Sequence, residues 1–200
     1  MGLEIEYIDG QTPLDEEEKE GLLIPFITTR SELDEVEQRN VEEAMLWLTQ
    51  RRKRFTAAEI LTEQFICDLH KKMFSGIWRW AGTFRNSEKN IGVLSYLIGV
   101  RLRELLDDCT YWIDNDTYTS DEVAIRFKHR IVSIHCFANG NGRHSRLIAD
   151  VIIDKIFEKE VFSWGGNRLI QAGEFRIRYL MALRKADQNE YEALKEFARA

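Results

Sequence analysis

The 200-residue sequence predicts a mainly α-helical bundle that carries one small β-hairpin flap. Three observations lead there. Apolar residues recur at helical spacing through most of the chain. Ser31, Thr56 and Thr119 each stand where an N-cap belongs, ahead of such a run. Only Trp78–Val93 breaks the helical pattern, with alternating aromatics and a polar turn from Arg85 to Asn90.

Length and composition bound the reading. Two hundred residues with 44% apolar and 31% charged side chains suit one globular unit with an ample core. No apolar run approaches a membrane span, and the charge-dense N-terminus lacks a secretory pattern, so a cytoplasmic setting without membrane contact is expected. Cys67, Cys109 and Cys136 are odd in number and lack CxxC spacing, which argues against a disulfide framework or a zinc site. The net charge of −6 is uneven: residues 1–43 carry −11 and the remainder +5. An acidic arm on a mildly basic body is either a solvated tail or a segment that folds back over an anion-binding face. Overall acidity argues against direct nucleic-acid binding.

In chain order, residues 1–26 read as an extended start, a turn and a brief helix or loop. A helix starts at Thr29 or Ser31, with Leu33, Val36, Val41, Ala44, Trp47 and Leu48 as its buried stripe. Glu37 falls on that stripe, where a carboxylate needs a cationic partner; Arg146 is the expected one. Residues 51–54 (RRKR) read as a solvated helix end. Thr56 caps a helix over 57–73, in which His70 is structural. Trp78 and Trp80 anchor the flap. A helix over 95–114 buries Leu97, Val100, Leu102, Leu105, Leu106 and Trp112. The next starts with a capping box, Thr119 and Glu122, and runs to His135. Residues 142–157 form a further helix, and 168–184 and 187–198 two terminal ones.

The chemistry concentrates in HCFANGNGRHSR, His135 to Arg146. Asn139, Gly140, Asn141 and Gly142 separate two apolar helical runs, and glycines let successive N–H groups face one concavity. A helix that starts at Asn141 or Gly142 adds unpaired N–H groups and the positive end of its dipole. Arg143 and Arg146, one turn apart, suit phosphate oxygens. His135 stands at the edge, placed to take a proton. A sharp helix–turn–helix corner would account for the glycines alone, yet it leaves His135, Phe137, Arg143 and Arg146 at fixed offsets by accident. GxxxxGK[ST] is absent, which disfavours a P-loop ATPase.

Here the chain resembles the Fic (Fic/Doc) family, whose signature His-x-Phe-x-acid-Gly-Asn-Gly-Arg-x-x-Arg is matched at His135, Phe137, Gly140, Asn141, Gly142, Arg143 and Arg146. Nearly the whole chain is similar to the bacterial branch called mobile mystery protein B, through TPLD, ITTR, WRWAGTFR, KNIGV, FSWG and YLMALRKADQNEY. The resemblance implies a Fic-type helical bundle and a protein adenylyltransferase. AMP would pass from ATP to a Ser, Thr or Tyr hydroxyl of a target protein, with Mg²⁺ or Mn²⁺ as cofactor. It further implies that His135 is the base, and that Asn139, Gly140, Asn141, Gly142, Arg143 and Arg146 hold the phosphates. Arg85, Asn86, Ser87, Glu88, Lys89, Asn90 and Ile91 would dock the target by strand addition. Glu37 corresponds to an inhibitory glutamate that pairs with the second arginine, although Ser/Thr-x-x-x-Glu-Gly/Asn is met by no window here. An antitoxin-like regulator is the other implied partner.

Two positions depart from the family. The metal-binding acid is Asn139, a weaker metal ligand than a carboxylate. Cys136 replaces the usual proline and reads as packing. Asn139 keeps two alternatives open: another nucleotide or phosphoryl donor, and a non-catalytic nucleotide-binding module. The division expected is an acidic arm with an inhibitory helix at 1–50, and a single catalytic unit at 51–200.

Overall fold

The computed structural model describes residues 14–50, 55–165 and 172–200. Nine α-helices lie among them: α1 (Glu16–Lys19), α2 (Arg30–Thr49), α3 (Ala57–Ile60), α4 (Glu63–Phe74), α5 (Ile98–Asp114), α6 (Ser120–Ile134), α7 (Asn141–Val151), α8 (Ala172–Ala186) and α9 (Glu192–Arg199). Helix α7 packs against α6 and α4, α2 lies on α4, α5 on α6, and α8 pairs with α9. The bundle is the expected mainly helical fold. RRKR at 51–54, Pro13 and the start of the first terminal helix lie outside the described residues.

Local chemistry accounts for the boundaries. Helix α2 starts one residue before Ser31 because Thr29 is its cap: the hydroxyl accepts from Glu32 N, and the Glu32 carboxylate accepts from Thr29 N. That reciprocal box satisfies two otherwise orphaned donors. The helix expected over 57–73 is broken at Leu61, whose ψ of 54° is not helical, and Thr62 caps the restart. Thr119 caps α6 through Glu122 N, but the return bond of the expected box is absent, since Glu122 binds Arg126 instead. Helix α7 loosens into a π-turn at Ile152–Ile156.

Apolar stripes meet in one core. Trp78, Phe74, Phe127, Phe137, Leu33, Leu69 and Leu102 are all fully buried. Val100, expected inside, is 51% exposed: Ile98 and Leu102 take the inward positions around it. Trp78–Val93 is a looped flap rather than a hairpin. No strand pairs within it, and Leu22 with Trp78 is the single isolated bridge among the described residues. Trp78 and Trp80 stack at 4.9 Å and anchor its start, as expected.

Candidate active site

Helix α6 ends on His135, which adopts φ 58° and ψ 61°. This left-handed cap is uncommon for a residue other than glycine, although histidine is among those enriched there. It turns the chain into a buried bend, Cys136 to Gly140, that three groups hold. The Asn141 carboxamide accepts from Phe137 N at 3.0 Å and donates to Phe137 O at 2.7 Å. Phe137 stacks on His70, ring centroids 3.7 Å apart. His70 Nδ1 accepts from Gly82 N at 3.0 Å, so Nε2 carries the proton and donates to Asn139 O at 3.1 Å. His70 is therefore structural, as the sequence suggests, and what it supports is the bend. Gly140 closes the turn at φ 77°, and a Cβ there would lie 2.5 Å from the Phe74 ring.

Helix α7 then begins without a side-chain cap. Its first i→i−4 bond is His144 N to Gly140 O at 2.9 Å, and among the described residues the N–H groups of Asn141, Gly142 and Arg143 have no acceptor. A Cβ on Gly142 would meet nothing within 4 Å. Three free donors, a helix dipole and open space together form an anion cradle. Asn141 contributes its backbone alone, because its side chain is committed to Phe137.

The two arginines diverge. Arg143 pairs with buried Glu37, which also accepts from Trp78 Nε1 at 2.7 Å. The guanidinium lies 5.0 Å from the Phe74 ring centroid. The expected partner of Glu37 was Arg146; position 143 takes that place, and Trp78 satisfies the second carboxylate oxygen. Arg146 makes no hydrogen bond or ion pair among the described residues and lies 5.8 Å from the Tyr179 ring centroid.

His135 is 4% exposed, and neither ring nitrogen has a hydrogen-bond partner among the described residues. Burial, then the Arg85 guanidinium, depresses its pKa to about 4; the Val132 carbonyl opposes this without meeting hydrogen-bond geometry. The imidazole is thus neutral at neutral pH and able to accept a proton. Buried polar atoms left without partners are rare and call for an explanation.

What covers the ring is the flap. Arg85 N binds Cys136 O at 3.0 Å and Val93 N binds Ile134 O at 3.3 Å. The Arg85 guanidinium donates to His135 O at 2.7 Å, to Ser87 O at 2.8 Å and to Val93 O. Gly92, at φ 99°, passes so close that a Cβ would lie 2.6 Å from His135 Cβ. Arg85, expected at the start of a segment that docks a target by strand addition, is an internal staple: its side chain and its backbone N–H are both bonded within the chain. Beyond it, Ser87 Oγ and Lys89 Nζ donate to Glu18 of α1, and Glu88 accepts from Ser95. Asn86, Asn90 and Ile91 face outward. Of the described part of the acidic arm, Asp15 and Glu18 lie against the flap.

The residues present do not make a metal site on their own. The Asn139 amide oxygen, the one candidate ligand, accepts from Gly140 N. No group of three His, Cys, Asp or Glu is placed to hold a metal among the described residues. Sequence reasoning missed Asp150 and Lys128. Burial raises the Asp150 carboxyl to about 6 despite hydrogen bonds from Trp164 and Phe162. No helix of the described residues is long and apolar enough to cross a membrane.

A left-handed histidine, a glycine bend and two arginines on the following helix stand within the stretch that a family comparison picks out. Residues 60–153 match the family model described as the Fic/DOC family. The chain is similar in fold to Fic-1 from C. elegans, with TM-score 0.62 and 19% identity over 90% of this chain, although it spans only half of that one. It is also similar to BepC, a VirB-translocated effector from Bartonella tribocorum solved with AMPPNP (TM-score 0.64, 15% identity, 86% of this chain and 87% of that). A Bartonella quintana Fic domain solved with ADP gives TM-score 0.64 at 16% identity, over 87% and 86% of the two chains. No curated protein matches.

Proposed function

We propose that this chain is a nucleotide-dependent transferase that moves AMP from ATP to a hydroxyl side chain of a target protein. The observation that carries the reading is the pairing of free N–H groups on Asn141, Gly142 and Arg143 with a buried, neutral, unbonded His135. The amides and Arg146 would grip the polyphosphate. The target oxygen attacks the α-phosphorus as His135 takes its proton, the bond to the bridging oxygen breaks, and pyrophosphate leaves. Bound nucleotides in the Bartonella relatives support the donor class. A divalent cation would be carried by the donor's own phosphates, so no step here depends on Asn139.

Residues 1–50 act as a brake in this reading. Glu37 neutralises Arg143, and Glu18 holds the flap closed over His135. A target segment, or an antitoxin-like regulator, would act on the outward row of Asn86, Asn90 and Ile91 once the flap opens. The inward turn of Asn139 favours one second reading, a nucleotide-binding module without transfer.

Incubation with labelled ATP and Mg²⁺ or Mn²⁺ tests this. Self-labelling is expected in Glu37→Gly and should fall by about 10²-fold or more in Glu37→Gly/His135→Ala, the loss typical of a missing general base. Label that persists without His135 sinks the mechanism. Nucleotide binding with no label in any variant leaves the binding module.

A further inference from the structure

Two buried hydrogen bonds on one ring join the flap to the cradle. His70, on α4, is fully buried. Its Nδ1 accepts from Gly82 N at 3.0 Å and its Nε2 donates to Asn139 O at 3.1 Å. Both nitrogens are thus spent on backbone, 12 and 69 residues away along the chain. Phe137 stacks on the ring and His144 lies T-shaped to it, centroids 5.6 Å apart. Phe74, one turn further along α4, lies 4.7 Å from the same ring and 5.0 Å from the Arg143 guanidinium.

Packing alone does not account for a histidine here. A buried imidazole has to find partners for both nitrogens, and an apolar ring would fill the space without that requirement. Its partners are also the points at which two segments are pinned. Gly82 sits against α4 at φ 80°, where a Cβ would lie 2.7 Å from Lys71 Cβ and 2.9 Å from Cys67 O. The bend is held at one end by Arg85 N on Cys136 O and at the other by His70 on Asn139 O. A trans peptide is planar, with its C=O and N–H on opposite sides. Drawing Asn139 O toward α4 therefore turns Gly140 N–H away from α4 and fixes the peptide from which α7 starts. Gly140 itself lies against the ring: a Cβ there would stand 3.4 Å from His70 Nε2.

We propose that His70 is a positioning residue that couples the base of the flap to the anion cradle. Its Nε2–H sets the orientation of the Asn139 peptide, and with it the direction of the Asn141, Gly142 and Arg143 amides. Gly82 N–H in turn sets the orientation of the ring. An anion that orders the cradle thereby tightens the Gly82 bond, and a flap base held in place raises the affinity of the cradle, the two effects being reciprocal. The ring itself touches no substrate. The inference rests on the transferase reading for the identity of the anion as a nucleotide's polyphosphate, and not for the coupling.

Calorimetric titration of the full chain with AMPPNP and inorganic pyrophosphate, beside amide exchange and nitrogen-15 spectra, tests it. In wild type the imidazole shifts should report a neutral ring protonated at Nε2, and saturating ligand should slow exchange of the Gly82 amide by about threefold or more. His70→Asn offers an acceptor where Nδ1 stands but does not reach Asn139, whereas His70→Gln offers a donor where Nε2 stands and leaves Gly82 unpaired. His70→Asn should keep Gly82 protected and weaken AMPPNP about tenfold. His70→Gln should bind within about threefold of wild type, with Gly82 exchange about tenfold faster. Both variants should melt below wild type, so the crossed pattern, not stability, separates a positioning ring from a packing one. Equal loss of affinity in the two overturns the coupling. So does a wild-type ring protonated at Nδ1, or Gly82 exchange indifferent to ligand in wild type, whether or not the variants fold. Binding of neither AMPPNP nor pyrophosphate by wild type overturns it together with the cradle. Pyrophosphate binding that follows the crossed pattern, without nucleotide binding, supports the coupling and removes the ATP reading alone.

Discussion

Arg143 and Arg146 leave the same helix one turn apart and meet opposite electrostatic surroundings. Arg143 is answered within the chain: Glu37 neutralises it and Phe74 lies under its guanidinium. Arg146 meets no carboxylate among the described residues and shares Tyr179 with a buried lysine. One edge of the cradle is therefore closed by an internal anion, and the other holds excess positive charge. A charged group satisfied in the resting state has to be released before it can serve a ligand, whereas an unsatisfied one is already poised. On the proposed transferase reading, the resting protein is thus half-prepared for a polyphosphate.

Breaking the closed edge should have the largest effect. Glu37→Gln keeps the volume and the Trp78 contact but removes the charge that holds Arg143. AMPPNP affinity should rise about 10- to 100-fold, the range of a charge-assisted bond or a typical coupling energy. Asp150→Asn, near Arg146 but bound to Trp164 and Phe162, should leave affinity within about twofold. Equal responses in the two variants would show that the edges do not differ as described.

The floor of the cradle separates two glycines in the same way. Gly140 is required by the fold, since a Cβ at φ 77° would press on Phe74. Gly140→Ala should lower stability by about 2–4 kcal/mol through overpacking and backbone strain. Gly142 faces open space, so Gly142→Ala should be neutral or stabilise by up to about 1 kcal/mol. It should nonetheless weaken AMPPNP binding about tenfold, because the added methyl would stand where the proposed phosphate approaches the backbone. Thermal melts alongside titrations separate the two; a Gly142→Ala variant that binds normally would move the phosphate elsewhere.

Much of this was legible before any coordinates. The bend, its two arginines, the helix that follows and the anchoring Trp78 all come from local spacing, and local spacing is what a sequence records directly. The partner of Glu37 was not legible, because positions 143 and 146 present similar faces and Trp78 had to be placed first. Lys128 was missed because it sits between the stripe residues Phe127 and Ile131, where a charge reads as the solvated side. Only the docking of α8 puts Tyr179 against it. The flap reads as a hairpin from its alternating aromatics, but the backbone N–H groups of Arg85 and Val93 bond to Cys136 and Ile134 rather than across a ladder, and Ser87 bonds to Glu18. Long-range partners decided each of these cases.

The smallest effect concerns the flap, and His135 itself reports it. Closed, the ring titrates near 4, against 6.5 for the ordinary group, chiefly because it is desolvated. Its neighbours Arg85 and Lys89 add to the depression. Opening the flap restores water and raises that pKa toward its ordinary value. The closed state therefore binds fewer protons: its advantage is complete above about pH 6.5 and is lost as pH falls toward 4. Glu18→Gln removes the carboxylate that receives Lys89 and Ser87, while Asp15 remains 3.6 Å from the Lys89 ammonium. Because Asp15 and the Arg85 staple persist, the change should be modest. Acylation of His135 by diethyl pyrocarbonate at pH 7 should speed up by about three- to tenfold, in line with about 1 kcal/mol of lost latch. In wild type the same rate, corrected for reagent decay and for the neutral fraction of the ring, should climb as pH is lowered from 7 to 5. A corrected rate that stays flat with pH and is indifferent to Glu18 would mean that His135 is reached by a route other than the flap.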